Sequence, residues 1–299
     1  MRFITIPLML FLTLVLVSCD GCTRINPTGP THGSGGEWSP YVVVHTPGNA
    51  LQAYQKVIPE MVSNGTLRGV RIGIVKGEGK NFVNDWIDSM VPDVLWILDN
   101  FYLFDQDIEQ VIDQAFAWYP SIRYLQIGNE ITTILPEGGP QMGVEEYMTV
   151  LKRIYSYVQE KYPGVMIVSQ STFGSGSYGS IELEKMVKLG LTTMSSSRLI
   201  VGMNVYSKSN AGAYSRVINS SLRGYRIWVT ETGTPNPDAH VDYMRDMYPF
   251  LRNSLRAERI YWYALYCGDN GGDSGFGLIK NINESVLGTS PLYNLLMGR

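Results

Sequence analysis

Short, continuously apolar runs rich in β-branched and aromatic residues recur roughly thirty residues apart, and amphipathic helical patterns fill the intervals. The runs occupy 41–45, 69–74, 94–98, 124–127, 165–169, 199–205, 226–230 and 260–265. Their apolar residues are mostly consecutive rather than alternating, which is the pattern of strands buried on both faces of an all-parallel sheet. Parallel neighbours need long crossovers, and the helical intervals supply them. Val144, Tyr147, Met148, Leu151, Ile154, Tyr155 and Val158 share one helical face that ends at Pro163-Gly164. Ile108, Val111, Ile112, Ala115 and Tyr119 repeat the pattern behind Asp105 and Asp107, Asp238 opens a third helix, and Ser290-Pro291 starts a last one. Eight strand–helix units predict an α/β fold, a single-domain (β/α)8 TIM barrel. An open doubly wound sheet is the other topology compatible with the same pattern.

The first residues read differently. Arg2 precedes a mostly apolar run over 3–17, too short to span a bilayer but suited to a signal peptide. It ends in Leu16-Val17-Ser18-Cys19, which resembles a bacterial lipobox, implying cleavage before Cys19 and lipidation of its thiol. Residues 19–38 are rich in Gly, Pro, Ser and Thr and read as a flexible tether. The expected organisation is therefore a signal peptide over 1–18, the lipidated cysteine and tether over 19–38, and a folded domain over 39–299. The expected location is the bacterial cell envelope, periplasmic or at the cell surface, with membrane contact through the lipid alone.

Net charge is −3, which gives no argument for nucleic acid. The histidines, His32, His45 and His240, are isolated, so neither a metal site nor a cofactor is predicted. Cys22 and Cys267 show no spacing that argues for a disulfide.

Two strand ends carry a glutamate: Gln126-Ile127-Gly128-Asn129-Glu130 and Trp228-Val229-Thr230-Glu231-Thr232-Gly233. Barrel enzymes keep their chemistry at the carboxyl ends of the strands. Glycosidic cleavage needs one carboxylic acid to protonate the departing oxygen and one carboxylate to meet the anomeric carbon from the other face. The ends of the fourth and seventh strands face one another across a barrel mouth. There, the charge on one glutamate would raise the pKa of the other. Taken singly, a glutamate after a strand is as readily a helix cap or a surface residue.

Asn129-Glu130 after the fourth strand, Glu231 after the seventh and Trp262 on the eighth resemble the clan-A retaining glycoside hydrolases, (β/α)8 enzymes that include families 5 and 39. The resemblance implies Glu130 as acid/base, Glu231 as nucleophile and Asn129 as the contact to the sugar 2-hydroxyl. It implies that Arg71 steadies the nucleophile, that Tyr206 hydrogen-bonds it, and that Trp262 forms the floor of the sugar subsite. Asn204 stands where many members carry histidine, and Asp99-Asn100 where some carry another. His45, at the end of the first strand, is a candidate contact to a distal sugar. The stretch Asp273-Ser274-Gly275-Phe276-Gly277-Leu278 is similar to the loop after the eighth strand in several such families. The implied partner is a β-linked poly- or oligosaccharide.

One motif points elsewhere. Gly174-Ser175-Gly176-Ser177-Tyr178-Gly179 is a G-x-G-x-x-G between a strand and a helical pattern, the context of a dinucleotide fingerprint. The acidic residue expected after the next strand is absent, since that strand runs into Met203-Asn204, and the motif follows the fifth strand rather than the first. A Gly/Ser-rich loop bordering the cleft is the better reading. The competing functions are a catalytically silent glycan-binding lipoprotein and, more remotely, a nucleotide-dependent oxidoreductase.

Overall fold

The computed structural model describes residues 38–46, 50–132, 141–174, 176–266, 274–280 and 288–299. The signal segment, Cys19, Cys22, the tether to residue 37, Cys267 and Asp273 lie outside the described residues. Eight parallel strands close into a barrel in sequence order, with β1 pairing both β2 and β8. The strands are β1 (Tyr41–Val43), β2 (Gly69–Ile74), β3 (Asp93–Leu98), β4 (Tyr124–Ile127), β5 (Met166–Val168), β6 (Leu199–Asn204), β7 (Arg226–Thr232) and β8 (Ala257–Trp262). Between them run α1 (Leu51–Ser63), α2 (Phe82–Met90), α3 (Ile108–Trp118), α4 (Val144–Lys161), α5 (Tyr178–Lys188), α6 (Lys208–Ser221) and α7 (His240–Leu255), and α8 (Pro291–Leu296) follows the last strand. The predicted (β/α)8 TIM barrel is the observed fold.

Each helix starts where its sequence permits. Asn81, Ser207 and Ser290 accept N–H bonds from the first turns of α2, α6 and α8. Asp107 precedes α3, but its carboxylate makes no such bond. α7 begins at His240 rather than Asp238, because Asn236 caps a short 3₁₀ turn, Pro237–Ala239, in front of it. Trp38, assigned by sequence to the end of the tether, belongs to the core. Its indole stacks on Tyr248 at 5.7 Å and its Nε1 donates to the Thr66 carbonyl at 2.9 Å.

β8 starts three residues earlier than its apolar run, since Glu258 and Arg259 disguise it. Glu258 accepts from Arg226 on β7 at 2.6 and 2.7 Å. Arg259 closes the bottom of the barrel. Its guanidinium lies 4.0 Å from the Trp228 ring, 4.6 Å from Tyr124 and 4.9 Å from Tyr41, and pairs with Asp93 at 2.6 Å. Above this layer, Val43, Leu95, Val168, Ile200, Trp228 and Tyr261 fill the barrel axis. The interior is thus a packed plug, and a cleft opens beyond the carboxyl ends of the strands.

The plug generates a stability prediction. Asp93→Ala strands a guanidinium among aromatic rings and should cost about 2–4 kcal/mol, somewhat below a fully sealed pair because Asp93 keeps some solvent contact. Adding Arg259→Met should restore much of that loss. Chemical denaturation of the two variants checks it, and a double variant no more stable than Asp93→Ala would contradict the pairing.

Candidate active site

A cleft of about 680 Å³ opens at the carboxyl ends of the strands, lined among others by Arg71, Asn129, Glu130, Tyr206, Glu231 and Tyr263. Two irregularities of the backbone put the acidic residues there. Along β7, Trp228 and Thr230 face the axis, so strict alternation would send Glu231 out toward the helices. The register between β6 and β7 shifts at this point: Val229 pairs with Met203, but Glu231, not Thr230, pairs with Asn204. The extra residue is a bulge, and bulges re-aim side chains. Thr230 and Glu231 therefore both point inward. Thr232 points out, its hydroxyl 2.8 Å from that of Tyr243 on α7.

At the end of β4 the device is a change of backbone hand. Gly128 has φ +73° and Glu130 has φ +49°, a left-handed conformation that costs a non-glycine residue about 1–3 kcal/mol. The turn brings Asn129 and Glu130 to the cleft together. The Glu130 N–H donates to the Ser171 carbonyl at 2.8 Å.

Arg71, inward on β2 and 4% exposed, connects the two ends. Its Nη1 contacts Glu231 Oε1 at 2.5 Å, Nη2 donates to Asn129 Oδ1 at 2.9 Å, and Nε donates to Gln126 Oε1 at 2.9 Å. On the other Glu231 oxygen, Tyr206 donates its hydroxyl at 2.8 Å and Asn204 its Nδ2 at 3.1 Å. The same Asn204 nitrogen lies 2.6 Å from Glu130 Oε1. These two contacts keep Glu130 Oε1 and Glu231 Oε2 within about 6 Å of one another, whereas carboxyls that flank a catalytic water stand about 6.5–9.5 Å apart.

Burial, and then the charge of Glu231, push the Glu130 carboxyl up to about 8, against opposing hydrogen bonds from Asn204 and the Gly174 backbone. Burial, the Glu231 charge and the bond to it hold the Tyr206 phenol well above its ordinary range, so it remains a donor. Glu231 is ringed by donors, while Glu130 retains a proton to give.

The remaining sequence candidates divide. His45 lies exposed on the rim, edge-on to Tyr263 at 5.5 Å. Trp262 does not reach the cleft and cannot be a subsite floor. It is fully buried on the outer face of β8, 4.8 Å from His240 and 5.9 Å from Tyr243, with Nε1 donating to the Phe276 carbonyl at 2.9 Å. Alternation explains the correction: Tyr261 fills the axis, so Trp262 faces the helices and the aromatic returning to the cleft is Tyr263. Tyr263 packs against Phe276 at 5.5 Å, and Phe276 against Tyr206 at 5.9 Å.

Sequence reasoning missed Gln126, whose amide accepts from Arg71 and donates to the Gly128 carbonyl at 2.9 Å and to Ser171 Oγ at 3.0 Å. Its signal was available, because a lone amide inside an apolar strand is an unusual buried polar group. The glycine-rich loop has a packing explanation. A Cβ on Gly174 would lie 2.5 Å from the Tyr206 ring, and one on Gly179 would lie 1.9 Å from the Tyr214 hydroxyl. Ser175 is outside the described residues. Among the described residues no cluster of His, Cys, Asp and Glu could hold a metal ion.

No protein-family model and no curated protein matches the chain. Solved structures resemble it in fold. A β-mannanase from Thermomonospora fusca aligns with TM-score 0.54 and 14% identity over 87% of this chain and 88% of that one. The catalytic domain of GH30 xylanase C from Talaromyces cellulolyticus aligns with TM-score 0.57 and 11% identity over 87% and 74%. An endo-β-1,6-glucanase aligns with TM-score 0.58 and 10% identity over 87% and 75%. At these identities the likeness is one of architecture, the eight-stranded barrel of glycoside hydrolases.

The site predicts its own effect on stability. Folded Glu130 keeps its proton to about pH 8, whereas the unfolded residue loses it near 4.5. Between those values the folded state binds more protons, so stability falls as pH rises. Glu130→Gln should be more stable than the wild type at pH 8, with the two converging below pH 5. Melting temperatures across that range test it, and a constant offset would show that Glu130 is ionised throughout.

Proposed function

We propose that the chain is a glycoside hydrolase that cleaves a β-linked poly- or oligosaccharide with retention of anomeric configuration. The observation that carries this reading is the single Asn204 amide nitrogen in contact with both carboxyls, which keeps an oxygen of each within about 6 Å of the other, closer than the spacing of inverting pairs. In the first step Glu231 attacks the anomeric carbon while Glu130 protonates the departing oxygen. In the second, Glu130 takes a proton from water, which displaces the sugar from Glu231. Arg71 and Tyr206 hold the Glu231 carboxylate on line. Because Arg71 engages Asn129 Oδ1, the Asn129 amide nitrogen is the group left to meet a sugar 2-hydroxyl. Tyr263 and Phe276 offer aromatic faces to the apolar face of a pyranose. The β-mannanase, xylanase and β-glucanase likeness in fold supports the same class of substrate. In this reading Cys19 carries a lipid and the segment behind it tethers the enzyme to the envelope.

Reducing-sugar release from β-glucans, mannans, xylans and galactans should occur on at least one polymer and vanish in Glu231→Ala. A 2-fluoro glycoside of the preferred sugar should add one glycosyl mass to Glu231, located by peptide mass spectrometry. Saturable glycan binding that survives Glu231→Ala, with no release from any polymer, would instead establish a silent binding protein.

The first step needs protonated Glu130, so kcat/KM should decline above about pH 8. For a substrate whose leaving group departs unaided, Glu130→Ala should abolish that basic limb. A wild-type profile flat from pH 6 to 10 would assign the proton to another group.

A further inference from the structure

The turn that presents Glu130 leaves the β4 ladder, and the ladder's next partner has already gone. β3 and β4 pair as far as Leu98 and Ile127, and the last backbone bond runs from the Gly128 N–H to the Leu98 carbonyl at 3.2 Å. Beyond it, the chain after β3 turns away into a short 3₁₀ segment, Asn100–Phe104, capped by Asp99, which accepts the Phe101 N–H at 3.1 Å. The side chain of Asn100 takes the vacated place. Its Oδ1 accepts the Asn129 N–H at 2.8 Å, and its Nδ2 donates to the Asn129 carbonyl at 2.7 Å. This is a two-point pairing of the kind two peptide groups make in a ladder, made here by a carboxamide. On the far side, Asn129 bridges Ser171 of the neighbouring chain segment. Gly128 leaves room for the arrangement, since a Cβ there would sit 3.0 Å from Asn100 Oδ1 and 2.9 Å from Leu103 Cδ1.

We propose that Asn100 is a positioning residue for proton transfer: by clamping both backbone groups of Asn129 it sets the direction in which the next residue, Glu130, presents its carboxyl. The proposal rests on the glycoside-hydrolase reading. Asn100 need touch neither the sugar nor a carboxylate. Its clamp opposes the spontaneous return of Glu130 from left-handed φ to an ordinary conformation. Without the clamp, the acid should stand off line while Glu231, held separately by Arg71, Tyr206 and Asn204, stays in place.

The test separates the two carboxyl functions. With a 4-methoxyphenyl glycoside, the bond from the anomeric carbon to the leaving oxygen breaks as Glu130 gives that oxygen its proton. With a 2,4-dinitrophenyl glycoside, the phenolate leaves as an anion and takes no proton. Both leaving groups on cellobiose, mannobiose and xylobiose serve as probes for the full chain. In Asn100→Ala, kcat/KM for the methoxyphenyl probe should fall about 10- to 100-fold, while formation of the glycosyl-enzyme from the dinitrophenyl probe changes less than about threefold. Azide attacks the anomeric carbon without surrendering a proton and expels the Glu231 carboxylate. It should therefore raise dinitrophenyl turnover in Asn100→Ala, yield a glycosyl azide, and leave the wild type unaffected. If Asn100→Ala fails to fold, Asn100→Asp serves, since it keeps the shape and the acceptor but loses the donor to Asn129. Equal losses on both probes without azide rescue would overturn the proposal and make Asn100 merely structural. A wild type inactive on every probe and releasing no reducing sugar from any polymer of the panel would overturn the hydrolase reading, and the proposal with it.

Discussion

Everything at the mouth of this barrel depends on one buried guanidinium. Arg71 is almost sealed from solvent, and a charge so placed must be paired and fully hydrogen-bonded to be tolerable. It meets that demand with three partners on two other strand ends: Glu231 near the end of β7, and Gln126 and Asn129 at β4. Because the guanidinium is planar and its donors are fixed in a fork, satisfying all three fixes their relative positions too. The geometry that places a carboxylate opposite an amide and beside a second carboxyl is thus set largely by the electrostatic needs of one side chain.

That demand could not be met by regular strands. A parallel barrel presents every second residue to its interior, yet the cleft uses the adjacent pairs Asn129–Glu130 and Thr230–Glu231. Each pair exists because the backbone breaks its own period, by left-handed residues at β4 and by a bulge at β7. Both breaks are supported by side chains that stand in for lost ladder partners. Asn100 does so at β4. At β7, the Thr230 hydroxyl contacts the Met203 carbonyl at 3.1 Å and Asn204 Oδ1 at 3.0 Å. The same Thr230 contact orients Asn204, so that its nitrogen is turned toward the two glutamates.

These breaks explain what could and could not be read from the sequence. The strands were legible because burial on both faces writes continuous apolar runs. The one strand misplaced in register, β8, begins with charged residues whose partners, Arg226 and Asp93, lie on other strands. Glu130 and Glu231 were legible as residues following apolar runs, and Arg71 as a charge within one. Trp262 misled because a strand end was located by composition, and an error of one residue turns a side chain to the opposite face. Tyr263 was its neighbour, but which of the two faced the cleft depended on a register that only the paired strand reveals. Gln126 carried a signal, a lone amide in an apolar strand, that went unread. The role of Asn100 was illegible for a different reason, since its work is to satisfy backbone groups of another segment and nothing in its own surroundings in sequence records that.

The barrel holds a second buried guanidinium, and comparison of the two separates stability from chemistry. Arg259 lies at the amino ends of the strands against three aromatic rings and one carboxylate. There the guanidinium is packed among the rings, even though the register between β7 and β8 slips by one residue at Trp228 and Arg259. Arg71 lies at the carboxyl ends, where its partners border open space and a neighbouring carboxyl is forced to keep its proton. A group held uncharged against its ordinary preference weakens the fold as pH rises, so the upper site works against stability while the lower plug supports it. This is the division expected of a barrel whose bottom carries the fold and whose top carries the reaction. At that top, the left-handed Glu130 and the bulge opposite Asn204 are the irregularities that aim a carboxyl, and their cost in stability is borne where the cleft opens.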